Sequence, residues 1–130
     1  MDMEIQFPGG KKVDAIYKGF TIKTDQPKNE GGEGSAPEPF SLFLTSIGTC
    51  TGIYVLDFCQ NRNISTNELK MILKTEYYNE TNMIRKIKIE IYLPKDFPDR
   101  YKNAILKAAG LCTVKKHLDQ PPAIDISLMK

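Results

Sequence analysis

Along the chain, apolar and polar positions change their period several times, and each change marks an element. Val13 to Tyr17 and Phe20 to Thr24 are short β-compatible runs joined through Lys18-Gly19, a pair suited to a tight hairpin with glycine at positive φ. Residues 25 to 38 hold three glycines and two prolines with almost no apolar side chains, which predicts a loop, read as a mobile flap. From about Pro39 to Asn61, Phe40, Phe43, Ile47, Cys50 and Tyr54 recur at three- and four-residue steps, which predicts a helix with Cys50 on its apolar stripe. Leu42, Leu44, Ile53, Val55, Leu56 and Phe58 make its other faces apolar as well, so the expectation is a central helix surrounded by protein.

Leu69 to Tyr77 and Met83 to Leu93 read as two strands around an Asn79-Glu80-Thr81-Asn82 turn, pairing antiparallel. In the second, Ile87, Ile89, Ile91 and Leu93 alternate with Lys86, Lys88, Glu90 and Tyr92, the pattern of a sheet with one wet face. Asp96 is placed to cap a helix with Pro98 in its first turn. Tyr101, Ile105, Ala108 and Cys112 continue one apolar face, and Gly110 predicts a break, so that Cys112 opens a second short helix. Ala123 to Leu128 alternates apolar with polar and predicts a last strand. The sum is an α+β fold, one domain over residues 1–130, with an antiparallel sheet packed on a long buried central helix.

Composition changes this picture little. Apolar residues at 41% and charged residues at 26% are ordinary for a globular chain, and a formal charge of +2 with interleaved signs gives no electrostatic reason to expect nucleic acid. Ser41 to Cys59 approaches the length of a membrane span, but Thr45, Ser46, Thr49, Thr51 and Asp57 favour a core helix and no membrane. Three cysteines, and no basic and apolar leader in Met1 to Gly10, point to a reducing compartment and a cytoplasmic address.

The candidate chemistry is therefore thiol chemistry. Cys50 lies in Ser46-Ile47-Gly48-Thr49-Cys50-Thr51-Gly52, where glycines permit close approach and hydroxyls can hydrogen-bond a thiolate. Packing as a small hydrophobe is the plainer use of such a buried cysteine. Cys112 sits near a helix start, where unpaired amides lower a thiol pKa, and Lys115, Lys116 and His117 follow as possible positive charge; a buried cap residue is the alternative. Cys59 reads as structural. A zinc site from Cys50, Cys59, Cys112 and His117 would lack any closely spaced ligand pair, so no metal is expected. A Cys-His dyad through His117, the one histidine, has no local support.

With these residues placed, the sequence resembles the family of osmotically inducible protein C and organic hydroperoxide resistance proteins. The resembling stretches are PEPFSLFLTSIGTCTGIYVLDFC, Pro37 to Cys59, and LCTVKKHL, Leu111 to Leu118, with Thr113 where a proline is common. The resemblance implies an intertwined homodimer and a thiol-dependent peroxidase in oxidative stress defence. It implies that Cys50 attacks a small hydrophobic hydroperoxide and becomes a sulfenic acid, that Cys112 resolves it as a disulfide, and that a dithiol reductant restores both without any cofactor. A small-molecule-binding or sulfur-transfer protein on the same scaffold is the alternative. The sequence departs from the peroxide-reducing branch in two places: no arginine precedes Cys50, and Phe40 stands where that branch has a glutamate.

Overall fold

The computed structural model describes residues 1–129, which form two compact units, one of Met1–Thr45 and one from Ser46 onward. The first unit holds a three-stranded antiparallel sheet, β1 (Glu4–Gly9), β2 (Lys12–Tyr17) and β3 (Phe20–Thr24), in that order. The β2–β3 hairpin is the expected one: Tyr17 faces Phe20, and the connecting Lys18 and Gly19 both take positive φ, 48° and 80°. Such a turn matches the right-handed twist of the strands it joins. The β1 strand is an addition to the sequence reading. Its residues are all exposed, so no buried face marks it in the sequence.

The glycine-rich segment after β3 is ordered rather than a loose flap, and its organiser is Asp25, 1% exposed. The Asp25 carboxylate accepts from the Gln26 amide at 2.7 Å, the Ser35 hydroxyl at 2.6 Å, and the Ser35 and Glu33 amides at 3.1 and 3.3 Å. The Ser35 hydroxyl, together with the Ser35, Gln26 and Glu33 amides, outweighs burial and holds the Asp25 carboxyl down to about 2. Gly32 has to be glycine here, since a Cβ would lie 1.9 Å from the Gln26 carbonyl oxygen.

Helix α1 (Pro39–Gln60) begins in the first unit and continues into the second, one residue short of its expected end. It is long and apolar enough to cross a membrane by length and composition, yet it carries a buried stripe, Ile47, Thr51, Val55, Phe58 and Cys59. This stripe is rotated from the expected one: Cys50 and Tyr54 lie at its margin, while Phe40 and Ile53 are about half exposed. A helix apolar on every side does not reveal its buried face by period alone. The helix is buried along this stripe and not all round.

In the second unit, strands β4 (Lys70–Tyr77) and β5 (Ile84–Tyr92) pair antiparallel, with Met71 opposite Ile91 and Leu73 opposite Ile89. The α1 glycines lie over this hairpin, where a Cβ on Gly48 or Gly52 would meet Leu73 at 3.6 Å or Met71 at 4.0 Å. The core joins Val55, Phe58 and Cys59 of α1 to Phe97 and Ile105, with Met71, Ile91 and Leu93 packed against them. The third helical segment starts later than Asp96 suggests. Pro98 leads a 3₁₀ turn over Asp99–Tyr101, and α2 runs Lys102–Ala109. Gly110 ends α2 as expected, and α3 (Thr113–Asp119) follows Cys112. The last expectation fails: residues 121–129 form no strand, and Ile124, Ile126 and Leu128 are 84–100% exposed. Their alternation is real, but no strand among the described residues pairs with them.

Candidate functional site

One face of α1 carries Ile47, Cys50, Thr51 and Tyr54, spaced as i, i+3, i+4 and i+7, and the start of α3 meets it. Tyr54 Oη and Thr113 Oγ1 share a hydrogen bond of 2.9 Å, which ties the first residue of α3 to α1. A proline at 113 would remove that tie. Next to it, Cys112 precedes α3 in an extended conformation, φ −49° and ψ 125°, and its carbonyl accepts from the Lys116 amide at 3.1 Å.

The two sequence-identified thiols are together. Both are reduced; Cys50 is partly exposed and Cys112 is 0% exposed. Burial pushes the Cys112 thiol up, but hydrogen bonds from the Lys115 amide, the Cys50 thiol, the Thr51 hydroxyl and the Val114 amide bring it below the ordinary cysteine value. Cys59, 1% exposed, goes the other way: burial raises its pKa, and Arg62 opposes this only in part.

The expected sources of positive charge act differently from the sequence reading. Lys115 reaches Cys112 through its backbone N–H, while its ammonium pairs with Asp119 at 3.1 Å. His117 Nδ1 lies 2.7 Å from the Thr113 carbonyl oxygen; a carbonyl only accepts, so Nδ1 carries the proton. Each arginine is engaged elsewhere: Arg62 over the Phe58 ring at 3.6 Å, Arg85 on Glu76 at 2.6 Å, and Arg100 over Tyr101 at 4.6 Å. Among the described residues, no three His, Cys, Asp or Glu side chains gather to hold a metal ion.

Beside the sulfurs lies a cavity of about 360 Å³, walled by Ile47 and Thr51 of α1, Ile87, Ile89 and Ile91 of β5, Leu106 and Ala109 of α2, and Lys115 and Leu118 of α3. Neither Cys50 nor Cys112 lines it; Thr51 is the wall it shares with the cysteine pair. Sequence reasoning missed Thr51 as a contact of Cys112. The signal was its position directly after Cys50, inside an apolar helix.

Residues 32–127, most of the chain, match the family of OsmC-like proteins. The chain belongs to the OsmC-like family. Its fold is shared by solved structures at low identity. An osmotic stress induced and detoxification response protein from Psychrobacter arcticus 273-4 superimposes with a TM-score of 0.73 at 20% identity, over 88% of this chain and 85% of that one. A protein of Aquifex aeolicus VF5 gives 0.64 at 18% identity, over 92% and 87%. The organic hydroperoxide resistance protein OsmC of Legionella pneumophila, described also as a predicted redox protein and regulator of sulfide bond formation, gives 0.53 at 17% identity, over 91% and 89%. No curated protein matches the chain in sequence. The α+β architecture, with antiparallel strands and one long helix, is that of an OsmC-like protein.

Proposed function

We propose that this OsmC-like chain is a thiol-dependent peroxidase that reduces small hydrophobic hydroperoxides in oxidative stress defence, with Cys50 attacking and Cys112 resolving. The observation that carries the reading is that a partly exposed Cys50 neighbours a buried Cys112 whose thiol is brought below the ordinary cysteine value. The Cys50 thiolate attacks the distal peroxide oxygen, the O–O bond breaks, and an alcohol leaves as Cys50 becomes a sulfenic acid. Cys112 then attacks the Cys50 sulfur, the S–O bond breaks, water leaves, and a disulfide forms. A dithiol reductant returns both to thiols. Family membership and the detoxification and redox descriptions of the solved relatives support a stress-response redox role.

The working form in this proposal is a cytoplasmic homodimer. The apolar residues Ile5, Phe7, Phe20 and Ile22 of the first sheet are 36–78% exposed, and the alternating 123–128 segment has no strand partner among the described residues, as in a chain completed by a second copy. Sedimentation at micromolar concentration should give twice the monomer mass. Reduced protein should consume cumene hydroperoxide with dithiothreitol present and lose both thiols together. Turnover by Cys50→Ser at the wild-type rate would end the peroxidase reading.

One observation favours a second reading. The apolar cavity stands beside the sulfurs instead of around them, which suits an OsmC-like protein that binds an apolar small molecule without turning over peroxide. A ligand that copurifies in the cavity of a protein inactive toward hydroperoxides would select it.

A further inference from the structure

The helix that follows Cys112 has little of its own to hold it in place. It is seven residues long and buries none of them, and Cys112 before it makes no side-chain cap bond. A helix this short is marginal by itself. Two of its side-chain bonds, Lys115 to Asp119 and His117 to the Thr113 carbonyl, stay inside it. The 2.9 Å bond between Tyr54 Oη and Thr113 Oγ1 instead joins it to α1, a 22-residue helix anchored by its buried stripe.

Both ends of that bond sit beside a cysteine. Tyr54 follows Cys50 on α1 at i+4, one turn later on the same face, and a helical side chain leans back toward the preceding turn. Thr113 comes directly after Cys112, where the chain passes from extended into helix around a residue that is 0% exposed. A threonine at a first helical position does not fix its own φ as a proline there would, so the start of α3 has to be set from outside.

We infer that Tyr54 and Thr113 are positioning residues for the resolving thiol: their bond pins the start of α3 to α1 and so keeps Cys112 where a disulfide with Cys50 can close. The inference rests on the peroxidase reading and deepens it. A disulfide tolerates Cα separations of only about 4.4–6.8 Å, a window that a fraying first turn of α3 would carry Cys112 out of. The pin raises the effective concentration of Cys112 at Cys50, and by linkage the disulfide strengthens the pin by the same factor. Attack of Cys50 on the peroxide does not involve α3. The pin therefore acts on the second half of the cycle, in which the Cys112 sulfur displaces water from the Cys50 sulfenic acid. Without it, the sulfenic acid waits for Cys112 and meets a second hydroperoxide, which oxidises it to the sulfinic acid and leaves as an alcohol.

The test is the thiol–disulfide equilibrium of the reduced full-length protein in glutathione buffers at fixed pH. One glutathione disulfide takes two electrons and two protons from Cys50 and Cys112 and becomes two glutathione thiols, and peptide mass spectrometry after alkylation counts the Cys50–Cys112 linkage. In Tyr54→Phe and in Thr113→Val the equilibrium constant for that linkage should fall by about three- to tenfold, the worth of one hydrogen bond. Thr113→Ser, which keeps the hydroxyl, should hold the wild-type value, and the double variant Tyr54→Phe/Thr113→Val should fall no further than either single one. A bond that merely supports the fold stabilises reduced and oxidised protein alike and leaves the constant unmoved. Unchanged or raised constants, losses that add in the double variant, or a wild type that forms no such linkage overturn the inference. Thr113 is exposed, so if circular dichroism shows Tyr54→Phe unfolded, the comparison of Thr113→Val with Thr113→Ser decides: a loss in the first alone supports the pin, and equal constants overturn it. The buffers contain no hydroperoxide. A protein that responds as expected yet consumes no hydroperoxide keeps the pin and loses the peroxidase reading, and one that consumes hydroperoxide with an unmoved equilibrium does the reverse.

Discussion

Oxidising the Cys50–Cys112 pair should make the protein substantially more stable, by an amount the chain itself sets. The bond would close a loop of roughly 62 residues, and the chain-entropy relation gives about 4 kcal/mol at 25 °C for the denatured-state freedom removed. Cys50 and Cys112 are neighbours where α3 meets α1, so the native state should lose little of this to strain. Polar contacts that the two thiols give up on oxidation offset about 1 kcal/mol. For a chain of 130 residues the net gain raises the thermal midpoint by roughly 10 °C. The assay is thermal unfolding by circular dichroism after diamide treatment, with and without reductant, and with Cys50→Ser as the control that no oxidant should shift. An oxidised wild type with an equal or lower midpoint, despite a Cys50–Cys112 linkage proved by mass spectrometry, would refute the contact geometry.

Two further outcomes test the fold that holds the site. Ile105→Ala empties part of the second unit's core, where Ile105 is 1% exposed, and should cost about 2–5 kcal/mol in urea unfolding with an unchanged slope; a loss under about 1 kcal/mol would place it outside the core. Asp25, held down to about 2, contributes stability that is full above its unfolded value of about 4 and is lost as pH falls toward 2. Asp25→Asn should therefore be weaker than wild type at neutral pH and converge with it in acid; a gap that stays constant across pH would refute the role.

Much of this was legible because local rules and tertiary contacts agree. The β2–β3 and β4–β5 hairpins, the α1 limits, the break at Gly110 and the place of Cys112 before α3 all follow from turn chemistry and period. The misses share a physical cause, which is that partners distant in sequence leave no local mark. Whether α1 buries the Ile47–Thr51–Val55 line or the Cys50–Tyr54 line depends on the β4–β5 hairpin beneath it. Ile124, Ile126 and Leu128 alternate like a strand, but a strand exists only against a neighbour. Asp25 reads as one acid in a polar loop until Ser35 and the Glu33 amide are seen to converge on it. The pairing of Cys50 with Cys112 is implied by family resemblance, and the place of Thr51 beside Cys112 depends on how α3 meets α1.

In the proposed thiol cycle, Cys59 would set the selectivity. Three reduced cysteines allow three pairings, and exchange between them proceeds only when an ionised sulfur approaches another in line. Cys59 is kept protonated by the same core that walls it off, so it neither attacks nor is attacked while the fold is intact. Repeated oxidation and reduction in that cycle would therefore return to a single product without a proofreading partner, and scrambled linkages would mark molecules that opened their core before they met the oxidant.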